Sequence, residues 1–146
     1  MFTKTDAMKV FQKFLALFLL SVGTLVSCHN DKSSSNTVTP SAGTWKVTYF
    51  FDKQDETGYY TGYTFEFGAK GSLSASNGSQ TWSGTWTTGF DDSADKFLID
   101  FSGTVSSALS ELEEDWRIIK IEDSFMHFEH TSGGNGDTDV LKFSKI

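Results

Sequence analysis

The sequence has little of several residue types, and each shortage excludes a class of protein. Its 146 residues include one Pro and one Cys. Because a single Cys cannot form them, a disulfide framework and a cysteine-based zinc or iron–sulfur site are both excluded. Only 12 Lys and Arg side chains oppose 19 Asp and Glu, which gives a net charge of −7. This balance argues against a nucleic-acid partner, because binding phosphates needs a basic surface. The length suits one domain rather than two.

The apolar run near the amino terminus is too short to span a membrane. It covers residues 14–26, whereas a membrane-spanning helix needs roughly 20 residues. Lys4, Lys9 and Lys13 precede the run, and small residues lie towards its end. A basic start, a short apolar core and small residues after it are typical of a secretory signal peptide.

This segment ends in the tetrapeptide Leu25-Val26-Ser27-Cys28, which contains the only cysteine. The tetrapeptide resembles the lipobox of bacterial lipoproteins. The resemblance implies cleavage before Cys28, a diacylglycerol on its thiol and a further acyl chain, such as palmitate, on the new amino group. Stable membrane anchoring requires more than one acyl chain. The alternative is an ordinary secretory signal followed by a free cysteine.

We expect residues 1–27 to be removed and residues 28–42, rich in Ser and Thr, to form a flexible tether. Removal takes away three of the 12 basic side chains and one of the 19 acidic ones, which leaves a net charge of −9. Anionic lipid repels such a chain, so attachment is expected through lipid on Cys28. His29 and Asn30 give no inner-membrane retention signal of the enterobacterial kind. We therefore expect the outer membrane, on either its periplasmic or its surface face.

Residues 43–146 form the predicted domain. They hold all four Trp, all four Tyr and ten of the 14 Phe. Short alternating stretches separated by Gly, Asn and Asp dominate, a pattern typical of an all-β domain. The alternation predicts eight strands, over about 45–51, 59–67, 72–76, 80–87, 97–101, 115–121, 125–130 and 140–144.

Eight short strands with mostly short connections favour a small antiparallel up-and-down barrel, because closure removes the exposed edges of a sheet. The segments 52–58 and 89–95 are predicted to be charged loops. One segment differs, since Ala108, Leu109 and Leu112 lie at helical spacing. They predict either a short helix or a capping turn within 106–114.

The tripeptide Gly43-Thr44-Trp45 at the start of the first predicted strand resembles the G-x-W signature of lipocalins, and Gly84-Thr85-Trp86 repeats it. The whole of residues 43–146 is similar to the small lipocalin-like domains carried by many bacterial lipoproteins. The resemblance implies a lipocalin-like barrel in which Trp45 packs across the closed end.

Aromatic residues on the predicted strands suggest a binding face. Trp82 and Trp86 lie on one side of their strand, because they are an even number of residues apart. If that side faces inward, they join Tyr63, Phe65 and Phe101 around either a cavity for an apolar or planar ligand or a packed core. If it faces outward, the two tryptophans suit docking of a glycan or a protein. The alternation alone leaves both orientations open.

The remaining polar patterns predict no catalytic, metal or cofactor site. His127 and His130 are three residues apart on a strand, so they face opposite sides and do not share a metal. The acidic clusters at 91–95 and 137–139 lack the EF-hand spacing that calcium loops show. The acidic run at 111–115 leads into a strand and offers no pocket for a general acid and base. No Ser-His-Asp motif or phosphate-binding glycine loop is present. We therefore expect a protein that is not an enzyme.

Two functions fit these observations. The first is a lipid-anchored cell-envelope binding protein that holds a small hydrophobic ligand in or at the mouth of the barrel. It predicts a cavity above about 300 Å³ with apolar walls and a few polar groups. The alternative is an interaction or scaffold module with a filled barrel, which docks protein or glycan through its surface. It predicts a filled interior and an exposed aromatic patch.

Overall fold

The computed structural model describes residues 38–131 and 136–146. Within them the chain forms nine strands, one four-residue helix and two short 3-10 turns. The strands are β1 (Thr44–Asp52), β2 (Gln54–Asp55), β3 (Thr64–Phe67), β4 (Ser72–Ser76), β5 (Thr81–Asp91), β6 (Ala94–Phe101), β7 (Asp115–Ile121), β8 (Phe125–Thr131) and β9 (Thr138–Lys145). The helix, α1, spans Ser107–Ser110, and the 3-10 turns span Thr57–Tyr60 and Ala69–Gly71.

The strands form an up-and-down barrel. Each strand pairs antiparallel with its neighbour in the order β2-β1-β3-β4-β5-β6-β7-β8-β9, and an additional β1–β9 pairing closes the sheet. The barrel wall consists of the eight strands β1 and β3–β9, while β2 only extends the end of β1. The predicted all-β class and closed barrel are therefore confirmed. We call the end of the barrel where β1, β4, β6 and β8 terminate the upper end, and the end where β1 begins the lower end.

The predicted strand over 59–67 is wrong in its first half. Thr57–Tyr60 forms a 3-10 turn, and β3 begins only at Thr64. The turn directs the ring of Tyr60 inward, where it is buried and its hydroxyl donates to the carbonyl of Ala108 at 2.8 Å. Burial of an aromatic ring outweighs the β preference of this sequence.

The acidic segment 89–95 is mostly strand rather than loop. β5 continues to Asp91 and β6 begins at Ala94, with these two residues paired. Asp92 and Ser93 form the turn, and both have positive φ, 49° and 62°. A two-residue hairpin with left-handed residues matches the twist of its strands, so the turn needs no glycine. A short helix is present within 106–114, at Ser107–Ser110, as predicted.

Aromatic rings fill the middle of the barrel. Phe97 stacks on Phe128 and Trp86, with ring centroids 4.8 and 5.5 Å apart. The ring of Phe143 makes edge-to-face contacts with the rings of Phe65 and Phe67, with ring centroids 5.2 and 5.5 Å apart. All six side chains are buried. Such pairs each add about 0.5–1.5 kcal/mol to the stabilisation that burial provides, so the interior is the main stabilising element of the fold.

The chain closes the lower end before β1 begins. Trp45, the tryptophan of the first G-x-W tripeptide, is fully buried, and its indole Nε1 donates to the carbonyl of Ser41 at 3.2 Å. The hydroxyl of Ser41 donates to the carbonyl of Asp123 and accepts from Nζ of Lys145 at 2.9 Å. Pro40 is buried as well. Contacts with the barrel therefore begin three residues before the predicted domain boundary at Gly43.

Candidate functional site

The five predicted ligand-binding residues share the inner face of the barrel. Cross-strand pairing places Trp82 opposite Ala75 and Phe101 opposite Gly84. Phe65, Trp86 and Phe101 are buried, whereas Tyr63 and Trp82 are half-buried and pack against the core from the upper end. The structure therefore places three of these residues in the packed interior and two at the upper rim.

The three buried residues are engaged in packing. The indole Nε1 of Trp86 donates to the carbonyl of Gly68 at 3.0 Å, so its polar group is already satisfied. Gly84 lies between the two tryptophans because the strands approach closely there. A Cβ atom at position 84 would lie 2.3 Å from the carbonyl oxygen of Asp100 and 3.1 Å from the ring of Phe101. The glycine on this strand marks a close backbone approach, as strand glycines often do.

The upper end is capped by α1 and the residues around it. Ser106 caps the helix, since its side chain accepts from the backbone N–H of Leu109, and its hydroxyl lies 3.1 Å from the hydroxyl of Tyr63. Tyr63 in turn stacks on Trp82, with ring centroids 5.9 Å apart. Leu109 and Leu112 are fully buried beneath this cap. Tyr63 and Trp82 are thus part of the cap over the barrel.

The barrel wall opens between β1 and β3. These strands pair only at Thr44 with Glu66 and at Trp45 with Phe65. Above these pairs lies a cleft of about 370 Å³, which we call the side cleft. It is lined by Lys46, Val47, Thr57, residues 60–64 and Ile146.

The side cleft has apolar walls and a polar rim. Val47 and Tyr60 are buried at its base, and Tyr63 contributes a half-buried ring. Lys46 and Thr61 are exposed at its rim. Burial raises the pKa of Tyr60, and the nearby Glu111 raises it further, so this phenol stays neutral. The cleft therefore offers an apolar surface beside one cationic side chain.

A cluster of polar side chains lies at the upper end of the barrel, separate from the side cleft. We call it the rim cluster, and it consists of Glu114, Asp115, His130 and Asp139. Nε2 of His130 lies 3.5 Å from Oδ1 of Asp115 and 3.8 Å from Oε2 of Glu114. Nδ1 of the same ring lies 3.5 Å from Oδ2 of Asp139. Three carboxylates thus surround one imidazole whose two nitrogens face different partners.

Neighbouring side chains hold the rim cluster in position. Nζ of Lys96 donates to Oδ2 of Asp115 at 2.9 Å, and this hydrogen bond lowers the pKa of Asp115. The ring of Trp116 meets that of His130 edge-on, with centroids 6.1 Å apart. The indole Nε1 of Trp116 donates to the carbonyl of Leu112 at 3.0 Å. Asp115 is therefore ionised at neutral pH, beside a ring whose position is set by packing.

The sequence contained partial signals for the rim cluster. His130 lies two residues after the buried Phe128, and Asp139 lies two residues before the buried Leu141, so both side chains point to the inner face of the sheet. Polar residues at such inward positions were the signal in the sequence. His127 lies on the opposite side of β8 from His130, as predicted, and contacts Glu129. The residues of the side cleft had no comparable signal, since alternation does not show where neighbouring strands diverge.

The acidic residues at 91–95 do not belong to the group of closely spaced side chains around His130. Across residues 38–131 and 136–146, the one group of three His, Cys, Asp or Glu side chains with ligand atoms within 4.8 Å of one another is Glu114, Asp115 and His130.

The predicted signal peptide and the lipidation site Cys28 lie outside the described residues. In the described part of the chain, no helix is long and apolar enough to cross a membrane.

Comparisons with known proteins add one structural likeness. No family model matches the sequence, and no curated protein matches it. Among solved structures, the chain is similar to the crystal structure of a DUF4847 family protein from Bacteroides vulgatus. The two chains share 17% sequence identity and superpose with a TM-score of 0.48, over 71% of this chain and 92% of that chain.

Proposed function

We propose that this chain is a lipid-anchored, non-enzymatic binding protein of the cell envelope that takes a small amphipathic ligand into the side cleft. The observation that supports this proposal is the opening of about 370 Å³ between β1 and β3. Ligand pockets in proteins have volumes of about 300–1,000 Å³ and mostly apolar walls with a few polar groups.

The chemistry of the side cleft favours a ligand with an apolar body and an anionic end. Val47, Tyr60 and Tyr63 provide apolar contact, and the ammonium group of Lys46 lies at the rim. Tyr63 is the one predicted ligand-binding residue that lines the cleft. The ligand would thus bind at the barrel wall, while Trp86, Phe65 and Phe101 support the wall from inside as part of the buried core.

Membrane attachment is proposed through acyl chains on Cys28, which stands at the end of the apolar segment as the only cysteine. Two or more acyl chains give stable anchoring. The excess of acidic side chains in the mature chain removes any electrostatic route to an anionic lipid surface. We propose the outer membrane as the location, on either face.

The ligand proposal is tested with the full-length chain carrying Cys28→Ala, which removes the anchor and permits work without detergent. The probe is anilinonaphthalene sulfonate, an aromatic body with an anionic group. Thr61→Trp places an indole at the rim of the side cleft, and Thr81→Trp places the same group on an exposed β5 position outside it. We expect saturable probe fluorescence in the parent and in Thr81→Trp, and at least tenfold weaker binding in Thr61→Trp.

Native mass spectrometry of the same proteins completes the test. A co-purifying mass that Thr61→Trp loses and Thr81→Trp keeps would identify the class of ligand. Probe binding that is equal in the two variants would contradict the side cleft as the binding site.

The anchor is tested separately by detergent phase partitioning of cells that express the full-length chain. We expect the parent in the detergent phase and Cys28→Ala in the aqueous phase, with incorporation of an alkyne-labelled palmitate only in the parent. Release of the parent into the aqueous phase would contradict lipidation.

The second candidate function, a scaffold that docks protein or glycan through its surface, is favoured by the packed aromatic interior. Phe90, Leu98 and Ile119 are exposed on the strands β5, β6 and β7, and a docking partner would contact such apolar side chains. In-cell crosslinking tests this candidate. A defined partner that is lost in Phe90→Ser and retained in Thr61→Trp would favour docking over ligand binding.

A further inference from the structure

The rim cluster combines one imidazole with the carboxylates around it, rather than carboxylates alone. Its imidazole and its carboxylates come from three separate segments: the residues that lead from α1 into β7, the end of β8 and the start of β9. We infer that Glu114, Asp115 and Nε2 of His130 bind a divalent transition-metal ion, with zinc as the first candidate. This inference is independent of the proposed ligand in the side cleft.

The distances between the donor atoms suit such an ion. Zinc binds imidazole nitrogen and carboxylate oxygen at about 2.0–2.2 Å in a tetrahedral arrangement, which separates neighbouring donors by about 3.3–3.6 Å. The separations from Nε2 of His130 are 3.5 Å to Asp115 and 3.8 Å to Glu114. The three ligand atoms all lie within 4.8 Å of one another, so adjustment of the side chains would bring them to one ion.

The surroundings of His130 match those of a metal-binding histidine. Such a histidine usually places its second ring nitrogen against a carboxylate, which sets the ring's orientation and the protonation of its nitrogens. Here Nδ1 faces the carboxylate of Asp139, a buried side chain, at 3.5 Å. Lys96 binds Oδ2 of Asp115 and leaves Oδ1 directed at His130. Asp139 and Lys96 are therefore positioning residues for the three ligands.

The donor set and the available space select the class of ion. One imidazole with two carboxylates suits zinc and related first-row ions, whereas calcium takes oxygen ligands only. Three carboxylates face His130, and Lys96 is paired with one of them. The other cations nearby have their own acidic partners, Lys53 with Asp52 and Arg117 with Glu129, so the site favours a cation. A hollow of about 120 Å³ adjoins Glu114 and His130, and a groove of about 380 Å³ adjoins Asp115 and His130. Both leave room for a water molecule as the fourth ligand.

The test is isothermal titration of zinc into the untagged full-length chain, stripped of metal with a chelator and carrying Cys28→Ala so that the thiol does not bind zinc. We expect one zinc ion per chain and a rise in melting temperature on addition of zinc. His130→Gln and Glu114→Gln are each expected to weaken binding at least about tenfold, and Asp139→Asn by about 10–100-fold, the range found for such supporting carboxylates.

His127→Gln is the matched control, because it removes a histidine from the other side of the same strand. Its zinc affinity is expected to equal that of the parent. Glu114 is an exposed residue, so Glu114→Gln preserves the fold even where Asp139→Asn does not, as circular dichroism of each variant will show. Absence of one-to-one zinc binding, or the same loss in His127→Gln as in His130→Gln, would overturn the inference. Calcium binding that His130→Gln leaves unchanged would overturn it as well.

Discussion

The two sides of β1 are held in different ways. On the β9 side, six residue pairs run from Trp45 with Lys145 to Phe51 with Val140, and only one irregularity interrupts them, between Val47 and Tyr49. On the β3 side, two pairs suffice. The comparison shows that a barrel stays closed where inner side chains pack across a junction, even when the backbone ladder there is short.

The structure contains a physical reason for the difference. The ring of Tyr60 packs edge-on against Phe50 of β1, with centroids 5.1 Å apart. The segment that carries this ring is a 3-10 turn, so β3 begins only at Thr64 and pairs with β1 at two positions. The N–H of Phe50 donates instead to the hydroxyl of Thr57 at 2.9 Å, and the carbonyl of Phe50 accepts from the N–H of Glu56 at 2.9 Å. The side cleft therefore forms where a buried ring and a side-chain hydroxyl replace strand pairing.

The largest expected effect comes from breaking the β9 side. Phe143 is fully buried and lies opposite Val47 in the β1–β9 pairing. Phe143→Ala is expected to lower the free energy of unfolding by about 3–5 kcal/mol, because it leaves a cavity among the packed rings. Urea denaturation followed by tryptophan fluorescence measures this loss. Phe90→Ala, at an exposed position, is the control and should stay within about 0.5 kcal/mol of the parent. Similar values for the two variants would contradict the importance of this junction.

A smaller loss of stability is expected when the hydrogen bond between the N–H of Phe50 and the hydroxyl of Thr57 is removed on the β3 side. Thr57→Ala deletes the hydroxyl that accepts from the N–H of Phe50, and a lost hydrogen bond of this kind costs about 1 kcal/mol. Hydrogen exchange at the Phe50 amide should become faster, while the amides of β8 keep their protection. Thr57→Ser retains the hydroxyl and should restore both properties. Unchanged exchange at Phe50 in Thr57→Ala would mean that the hydroxyl does not support this edge.

The smallest expected effect is a pH dependence of the free energy of unfolding, which arises at His127 on the outer face of β8, beside β9. Lys142 of β9 lies opposite His127 of β8, and its ammonium group also lies over the ring of Tyr49 on β1. Burial lowers the pKa of His127 below its ordinary 6.5, Lys142 lowers it further, and Glu129 opposes the shift. The unfolded chain therefore binds a proton at this histidine more readily than the folded chain does. The resulting stabilisation is present above pH 6.5 and decreases as the pH falls below it.

Equilibrium unfolding at about pH 7.5 and about pH 5.5 tests this dependence. His127→Gln should show a smaller difference in the free energy of unfolding between the two pH values than the parent shows. Lys142→Gln should reduce the difference only in part, because burial is the larger cause of the shift. An unchanged difference in His127→Gln would assign the pH dependence to other groups.

Prediction from the sequence succeeded where local patterns decide the structure. The strands over 72–76 and 115–121 were predicted with the bounds that β4 and β7 have, since alternation and flanking turn residues are both local. It failed at 59–67, where a contact between distant residues decides, because Tyr60 turns inward to reach Ala108. It failed also at 89–95, where Asp92 and Ser93 close a hairpin without the glycine or asparagine that usually marks such a turn. The shared face of Trp82 and Trp86 was correct, but the alternation did not say which face was buried.

Local patterns in the sequence were enough to predict the all-β class, the eight strands of the barrel wall and the shared face of the aromatic residues. These properties follow from a two-residue period and from turn residues, both of which are local. The three-dimensional packing was needed to show that Trp86, Phe65 and Phe101 are buried while Tyr63 and Trp82 stay at the rim. It also decided where β1 separates from β3 and which acidic residues meet His130. Those outcomes depend on closure of the sheet, which brings together residues that are far apart along the chain.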